Sequence, residues 1–500
     1  MSDVRCKISL ILLLLFVTMT TAADDGIRLG GCRRGIQLTT TRAHRSQSTP
    51  RQVGGDFYQG ERHQLVVLAA FRDQAFEGDE ATALAKWDRI FNAENYCEDS
   101  FAGSVHDYFY AQSYGQFNLV FDLIYVNLPD SLSKYRSTAE HDENSQYMVD
   151  DIVDTLQTLD IDWSLYDWNN NGYVNQLLII YAGKGMNVDG GSNTIWPHQW
   201  WLSSHIDMTT GDEYRSCRTV NSADKTFIID CYCCVQEVVN SSNVKSSFGT
   251  ICHEYSHCFG FPDFYYGSTK YVGAWDLMDS GNYNKKGFCP AGYSAHERWL
   301  MGWLTPIELA EPSTITDMPS LSEEGQAYLI RNDDYPDEYY IVENRQFSKF
   351  DAELPGAGVV IFHIDYDESL WLSVYDFANT FDVQHYIIFP ANNKSSVSYS
   401  GWAYPYQDNN RLTDTSQPAA LLWHARSDSI FLMSKPLTNI AVDSIGLASF
   451  DFMKSPDAIQ PLPYAAVSQQ PWYDLQGRQL PDRPQRKGLN IVNGRKVVVR

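Results

Sequence analysis

Hydrophobic and polar positions follow two different patterns along this chain. Up to about residue 310, short apolar runs typical of buried strands alternate with segments whose apolar residues recur every three or four positions. The predicted strands are Gln64–Phe71, Phe117–Val126 and Gln176–Ala182, and the predicted helices are Thr82–Ala93, Ser104–Ser113 and Tyr147–Leu159. This alternation of helix and strand predicts an α/β or α+β domain over residues 61–310.

After Pro306 the pattern changes to short strands separated by turn residues, with few helical periods. The predicted strands are Ala327–Arg331, Tyr339–Glu343, Gly358–Ile364 and Tyr386–Phe389. We therefore expect a mostly β accessory domain over residues 311–455. A segment rich in Pro and Gln, residues 456–471, is interpreted as a linker, and residues 472–500 form a separate tail.

The first 23 residues have the layout of a secretory signal peptide. Arg5 and Lys7 precede the apolar run Ile8–Val17, and the small residues Ala22 and Ala23 offer a cleavage site. A membrane anchor is the alternative, but this run is shorter than the roughly 20 residues that span a bilayer. No later segment is apolar enough to span. Residues 24–60 are basic and lack an apolar period, which indicates a linker or a pro-segment.

Charge is distributed unevenly around a net charge of −24. Residues 1–23, 24–60 and 471–500 carry net charges of +1, +3 and +5, so the remaining body carries −33. A strongly acidic body argues against nucleic acid as a partner. It is consistent with bound hard cations and equally with a well-solvated surface.

The chain has ten cysteines, of which Cys6 leaves with the signal peptide. Cys231, Cys233 and Cys234 crowd into the sequence CYCC, which lacks the C-x-x-C spacing of a structural zinc site. In an oxidising compartment we expect disulfides, although the sequence does not give their pairing.

The stretch ICHEYSHCFGFPD carries the most specific chemistry. On a helix, His253 and His257 lie four residues apart and project from the same face, so their imidazoles can share one ion. Glu254 lies beside them, within reach of a water molecule polarised by zinc, from which it can take a proton. The alternative is a surface helix with two solvated histidines.

Three features favour the metal site over that alternative. Gly260 stands where the helix should end, so the chain can turn and return Asp263 to the ion as a third ligand. Met278, in the sequence WDLMDSG, can supply an apolar floor. The segment Ser246–Ile251 is small and apolar, as a helix entering the interior should be. Glu297, in SAHERWLMGW, is the competing third ligand.

These motifs resemble the immune inhibitor A family of secreted bacterial metallopeptidases, a metzincin-like branch of the zincins. HEYSHCFGFPD and WDLMDSG carry the resemblance, together with YDWNNNGYVNQLLIIYAG, TIWPHQW and YSAHERWLMGWL. It extends over about residues 64–453 and implies a zincin-like α+β catalytic domain. It also implies a zinc endopeptidase with His253, His257 and Asp263 as ligands and Glu254 as general base. A tyrosine near the methionine turn polarises the oxyanion in some such sites, and Tyr283 is the candidate, with a packing role as the alternative.

Three weaker signals lie outside this motif. Asp167, Asn169, Asn171 and Asn175 space oxygen ligands like the first half of a calcium loop, but an Asx-rich turn explains them equally well. Cys32 in the basic segment can block the zinc of a latent form or be an incidental thiol. The tail resembles the C-terminal sorting tails of Gram-negative proteins exported by the type IX route, which implies the bacterial secretion machinery as a partner, and an ordinary hairpin is the alternative.

The sequence therefore predicts a secreted or cell-surface zinc endopeptidase that acts on proteins or peptides. An adhesin or binding module that keeps the metal for structure alone is the rival hypothesis. A structural zinc normally has four protein ligands, whereas three are assigned here beside Glu254, which favours the enzyme. A metal hydrolase acting on a non-peptide amide is a third hypothesis, against which the family resemblance argues.

Overall fold

The computed structural model describes most of the chain after residue 54. The described residues are 55–136, 144–187, 191–206, 213–214, 217–238, 247–372, 378–394, 399–454, 471–481, 484, 488–492 and 494–499. The predicted signal peptide, Cys32 and almost all of the predicted linker 456–471 lie outside them. Among the described residues, no helix is both long and apolar enough to cross a bilayer.

The first half of the described chain mixes helices with parallel strands, as the apolar pattern predicted. Its strands are β1 (Gly60–Ala70), β2 (Phe117–Asn127), β3 (Leu177–Lys184), β4 (His198–Trp201), β5 (His205–Ile206), β6 (Glu213–Tyr214), β7 (Arg218–Ser222), β8 (Lys225–Ile229) and β9 (Cys231–Val238). Its helices are α1 (Glu80–Asn92), α2 (Val105–Gln112), α3 (Ser145–Leu156), α4 (Phe248–Cys258) and α5 (Ala295–Leu300).

A five-stranded sheet with the order β2-β1-β3-β9-β4 organises this half. Its first four strands are parallel, and β4 at the edge runs antiparallel to β9. Helix α4 packs near β9, where Cys231 of the strand shares a hydrogen bond with Cys258 at the end of the helix. The sheet is the support on which the motif helix lies.

The second half is built mainly from antiparallel strands, with two one-turn helices among the described residues. The strands are β10 (Ile307–Glu308), β11 (Ser313–Met318), β12 (Ala327–Asn332), β13 (Tyr335–Arg345), β14 (Gly358–Asp365), β15 (Tyr386–Ile388), β16 (Leu437–Val442) and β17 (Ala448–Phe452). The helices are α6 (Leu321–Glu324) and α7 (Glu368–Trp371). Strands β10, β12, β13, β14 and β15 form one sheet, and β11, β17 and β16 form another.

The sheet of β10 and β12–β15 faces two hydrophobic cores. Along β13, Tyr339 and Ile341 join the core that also contains β1 and α4, while Tyr340 and Val342 join a second core with β16 and β17. Successive side chains of a strand point to opposite faces, so one strand serves both cores. The main core thus runs across residue 310, where the sequence pattern changes. The division into two domains stays a prediction.

The tail forms a small sheet of its own. Strands β18 (Trp472–Tyr473), β19 (Gln479–Leu480), β20 (Gly488–Val492) and β21 (Arg495–Val499) pair in the order β19-β18-β20-β21. It attaches to the body where Ala419 and Leu421 pack against Ile491, and where the Phe431 N–H donates to the Gly494 carbonyl at 2.8 Å. The sorting function of this tail stays a prediction.

Candidate metal centre

Helix α4 is buried over nearly its whole length, as a helix that enters the interior must be. Its residues Phe248–His257 are all buried, and Cys258 is half-buried. Gly249 allows close packing at its first turn, since a Cβ there would lie 1.9 Å from the carbonyl oxygen of Asn282. The absence of a side chain at Gly249 therefore sets how closely the helix approaches segment 281–287.

The two motif histidines lie side by side on this helix. The ring centroids of His253 and His257 are 4.9 Å apart, with an interplanar angle of 84°. The Nε2 atoms lie 3.3 Å and 3.4 Å from Asp263 Oδ1, respectively. All three residues are at most 2% exposed. The structure thus brings together the three residues that the sequence placed around one ion.

Backbone carbonyls fix the orientation of both rings. His253 Nδ1 lies 2.8 Å from the carbonyl oxygen of Leu277, and His257 Nδ1 lies 2.8 Å from that of Phe261. A carbonyl only accepts, so each Nδ1 carries the hydrogen and donates it. In the neutral ring, Nε2 is then left with its lone pair directed towards Asp263. Both rings are oriented as metal ligands require.

A turn after α4 returns the chain to the histidines. Gly260 has φ 101°, a conformation that glycine adopts without steric cost, and its N–H donates to the His257 carbonyl at 3.0 Å. Asp263 is then held from both sides: the Phe264 N–H donates to the Met278 carbonyl at 2.9 Å, and the Ala378 N–H donates to the Asp263 carbonyl at 3.3 Å. The predicted role of Gly260 as the turning point agrees with this geometry.

The spacing of the three side chains fits a tetrahedrally coordinated ion. Zinc binds nitrogen and oxygen ligands at about 2.0–2.1 Å, which places tetrahedral ligands about 3.3–3.4 Å from one another. The two nitrogen-to-oxygen distances here match that edge length, and the three ligand atoms lie within 4.8 Å of one another. Two imidazole nitrogens and one carboxylate are also the chemistry of a zinc site that keeps a position open.

The electrostatics of the cluster strengthen its tendency to bind a cation. Burial alone lowers the pKa of the His253 imidazole, but contact with Asp263 and the negative charge of Glu254 outweigh it and raise that pKa to about 9. Burial raises the pKa of Asp263, yet the two histidines outweigh it and hold that pKa below its usual value. The carboxylate is therefore ionised, and the cluster attracts positive charge.

Glu254 is buried beside the histidines, with 1% of its surface exposed. Its charge raises the pKa of His253 on one side and of the Cys233 thiol on the other. The Glu254 carboxylate is therefore close enough to both His253 and the buried Cys233 for its charge to act on them. The role of Glu254 as general base stays a prediction.

The segment around Met278 forms a tight and buried turn under the cluster. Asp279 Oδ2 accepts the N–H groups of Tyr271, Val272 and Gly273 at 2.9, 3.0 and 2.8 Å. The Met278 N–H donates to Asp276 at 2.8 Å, and Met278 itself is fully buried. Sequence reasoning singled out Met278 but missed Asp276 and Asp279, which flank it within the same quoted motif.

Glu297 lies outside the group of three. Its Oε2 accepts the N–H of Ser294 at 2.7 Å, while Ser294 Oγ accepts the Glu297 N–H, so the pair closes a capping box at the start of α5. Burial raises the pKa of Glu297 well above its usual value. His296 is buried too, which lowers its pKa to about 3, and it contacts the Tyr339 hydroxyl at 3.2 Å. Glu297 thus has a local structural partner rather than a place beside the histidines.

Tyr283, the candidate for stabilising the oxyanion, lies in the 3-10 segment Gly281–Gly287 that packs against α4. Its side chain is 37% exposed. The catalytic role of Tyr283 stays a prediction.

The predicted calcium loop is closed by its own backbone. Asp167 accepts hydrogen bonds from the N–H groups of Asn171 and the next residue at 3.0 and 2.9 Å, and Asn175 Oδ1 accepts the Trp168 N–H at 2.7 Å. Asn169 Oδ1 is buried and has no hydrogen-bond partner among the described residues. These contacts are those of the Asx-rich turn. The calcium prediction remains untested.

The predicted disulfides are not found among the cysteines that the structure describes. The described cysteines are Cys97, Cys217, Cys231, Cys233, Cys234, Cys252, Cys258 and Cys289, and no disulfide joins any two of them. The CYCC segment is instead the buried strand β9, where burial raises the pKa of the Cys231 and Cys233 thiols. Its crowded cysteines serve as small apolar residues in the sheet.

Comparison with known proteins bears on the same part of the chain. Residues 58–302 match the family model of the immune inhibitor A peptidase M6 catalytic domain. The matched region starts just before β1, ends two residues after α5 and contains the whole metal centre. The search of curated proteins finds no match. The family resemblance drawn from the sequence motifs is thus confirmed over residues 58–302, and its extension to about residue 453 stays a prediction.

Proposed function

Residues 58–302 belong to the immune inhibitor A peptidase family, and we propose that the chain is a zinc-dependent endopeptidase. The observation that carries this proposal is the convergence of His253, His257 and Asp263 next to the buried carboxylate of Glu254. Two histidine nitrogens lie 3.3 and 3.4 Å from one carboxylate oxygen, a spacing that fits a tetrahedral ion with an open position. The family match supports a peptidase and, with it, a metal.

The reaction we propose is hydrolysis of a peptide bond. Zinc, when bound, supplies a Lewis acid that polarises the scissile carbonyl and lowers the pKa of water. Glu254 takes a proton from the attacking water and returns it to the leaving nitrogen. Leu277 and Phe261 keep the histidine rings in place through their carbonyl groups.

Further parts of the proposal concern the rest of the chain. We propose a zincin-like catalytic domain over residues 61–310 and a mostly β accessory region over residues 311–455, which packs against the same core. The protein is exported through its N-terminal signal peptide, and residues 472–500 address it to bacterial secretion machinery. We also propose that the loop at Asp167 binds a calcium ion and that the Cys32 thiolate blocks the zinc in a latent form.

The test is cleavage of a denatured protein by the purified chain from residue 24 to residue 500, and by a form that starts at residue 55. Each is assayed with and without a zinc chelator, beside the Glu254→Gln variant. Glu324→Gln is the matched control, since Glu324 is exposed and far along the chain from the centre. We expect chelator-sensitive cleavage that Glu254→Gln reduces by a factor on the order of 10³ while retaining one zinc.

Two outcomes would contradict the proposal. Cleavage that survives both the chelator and Glu254→Gln would place the chemistry elsewhere in the chain. Zinc that binds in a chain that cleaves no protein would favour a structural metal site, and with it the binding-module hypothesis.

A further inference from the structure

A short hairpin between α7 and β15 carries two exposed apolar side chains. Phe381 is 63% exposed and Val383 is 51% exposed, on either side of Asp382. The turn is well formed, because the Thr380 N–H donates to the Val383 carbonyl at 2.7 Å. Single exposed apolar residues are common on protein surfaces, so exposure alone assigns no role to this pair.

The hairpin is fastened to the loop that carries the third metal ligand. Asn379 Nδ2 donates to the Phe264 carbonyl at 2.8 Å, one residue after Asp263. The rings of Phe264 and Tyr386 stack with centroids 3.8 Å apart. On the other side of the loop, the Tyr271 hydroxyl donates to the Thr380 carbonyl at 2.8 Å. Several contacts thus fix the hairpin relative to the metal centre.

The loop after Asp263 provides a base for the exposed ring. Phe381 meets Tyr266 edge to face, with ring centroids 4.7 Å apart. Gly267 lies directly below, since a Cβ on it would be 3.7 Å from the tip of Phe381. Tyr266 and Gly267 thus restrict where the ring can move, which lowers the entropic cost of binding another apolar group to it.

We propose that Phe381 and Val383 form a subsite that binds a large apolar side chain of the substrate, such as Leu, Phe or Met, a few residues from the cleaved bond. This inference rests on the proposed peptidase function and names a substrate preference for that site. The hairpin belongs to the β-rich half of the chain, so this half shapes specificity as well as the core. One side of the Phe381 ring rests on Tyr266, and the exposed remainder of Phe381 together with Val383 is the surface available to a substrate side chain.

The test compares kcat/KM for a series of peptides that differ at one position, with Leu, Phe, Ser or Gln there. The enzyme forms are the full chain, the double variant Phe381→Ser/Val383→Ser, and Ile445→Ser as a control. Ile445 is 77% exposed and lies between β16 and β17, outside the hairpin. We expect the double variant to lose roughly tenfold in kcat/KM on the Leu and Phe peptides and to keep its rate on the Ser and Gln peptides.

Zinc content and thermal midpoint are measured for each form, because they separate loss of the subsite from loss of the fold. Both should be unchanged in the double variant, since the replaced side chains are exposed. An apolar-to-polar rate ratio that stays within twofold of the parent would overturn the subsite while leaving the peptidase proposal intact. A parent chain that cleaves no peptide would overturn both.

Discussion

At the scale of single residues, Asp263 and Glu297 are the two candidates for the third metal ligand. Asp263 Oδ1 faces both histidine nitrogens, whereas Glu297 Oε2 accepts the N–H of Ser294 in the cap of α5. The two residues offer the same chemical group, yet they differ in what surrounds them. Replacing each by its amide therefore separates metal binding from structural support.

We expect Asp263→Asn to weaken zinc binding by more than about 100-fold, because the loss of an outer-shell partner alone costs 10- to 100-fold. Glu297→Gln should leave zinc affinity within a few-fold and instead change the thermal midpoint of unfolding. Competition titration with a chromogenic zinc chelator measures the first effect, and calorimetry of the metal-free forms measures the second. The reverse pattern would make Glu297 the ligand.

The orientation of His253 is a second prediction at this scale. Its ring is held by the Leu277 carbonyl, which belongs to the turn that the Asp279 carboxylate closes through three N–H groups. Asp279→Ala leaves those buried donors unsatisfied, each at a cost of about 1–3 kcal/mol. We expect lower thermal stability and about 10- to 100-fold weaker zinc binding, measured by the same titration. Unchanged affinity would show that the turn does not control the ring.

The residues of the centre differ in how far the sequence reveals them. His253 and His257 lie four residues apart on one helix, so their spacing alone predicts that the two rings meet, and Glu254 directly follows the first of them. Asp263 follows because Gly260 permits the turn. The carbonyl of Leu277 is 24 residues from the ring it orients, and no local rule links the two. Contacts of that kind depend on tertiary packing and become visible only in the fold.

At the scale of secondary structure, helix α4 depends on one glycine for its position. The Cβ of an alanine at Gly249 would lie 1.9 Å from the Asn282 carbonyl oxygen, far inside van der Waals contact, and that oxygen belongs to backbone. We expect Gly249→Ala to lower the free energy of unfolding by about 3 kcal/mol. Gly488→Ala is the control, because no atom lies within 4 Å of a Cβ built there.

Chemical denaturation of both variants tests this prediction, with zinc content as a second measure. The alanine should push α4 away from segment 281–287. His253 lies one turn after Gly249 on this helix and would move with it, so zinc binding should weaken in Gly249→Ala alone. Equal stability of the two glycine variants would contradict the close packing of α4 against segment 281–287.

Strand β9 shows where a compositional signal misled the sequence interpretation. The composition of the segment CYCC predicts disulfides. In the fold the strand lies between β3 and β4, and Cys231–Gln236 are all buried. An inner strand of a mostly parallel sheet is covered on both faces and reads as a continuous apolar run. Cysteine is small and apolar enough to meet that demand.

At the scale of the whole molecule, ion pairs tie the edge of the second sheet to the segment near residue 424. Asp365 Oδ2 lies 3.0 Å from His385 Nδ1 and 3.0 Å from His424 Nε2. The hydrogen bond to Asp365 raises the pKa of His424 above its ordinary value. Burial raises the pKa of Asp365, but its hydrogen bonds to both histidines outweigh that effect and lower it.

The direction of the pH effect follows from these shifts. Because the pKa of His424 is raised in the folded state, its interaction with Asp365 stabilises the fold fully below about pH 6.5. This stability is lost as the pH rises through the pKa of His424 in the folded state. Because the pKa of Asp365 is lowered in the folded state, its ionised carboxylate stabilises the fold above about pH 4. This stability is lost as the pH falls through the pKa of Asp365 in the folded state. We expect Asp365→Asn to cost on the order of 0.5–1 kcal/mol between those limits and less near pH 9.

Thermal midpoints of the parent and Asp365→Asn across pH 4–9 measure this difference. Asp408→Asn, at an exposed position, is the control and should show no pH-dependent gap. A gap that is constant across the whole range would mean that Asp365 stabilises the fold by packing alone.

The hydrophobic core that the two halves share makes the folding of the first half depend on the second. Ile341 and Phe362 of the second sheet belong to the same hydrophobic cluster as β1 and α4. The Ala295 N–H donates to Glu343 at 2.7 Å, and Arg345 donates to the Gly292 carbonyl at 3.0 Å. A chain that ends at residue 306 would expose this apolar face and leave those buried polar groups unpaired. We therefore expect residues 55–306, although they contain every proposed ligand, to fail to fold into a zinc-binding form.

The matched control is a chain that ends at residue 454. It lacks only the linker and the tail, and no described residue of the tail belongs to the main hydrophobic core. It should keep near-ultraviolet circular dichroism, a cooperative unfolding transition and one bound zinc. The shorter chain should show none of these and should bind a hydrophobic dye, as chains with exposed cores do. A folded, zinc-binding form of residues 55–306 would instead make the second half an independent domain, because the shared core would then contribute little to the metal centre.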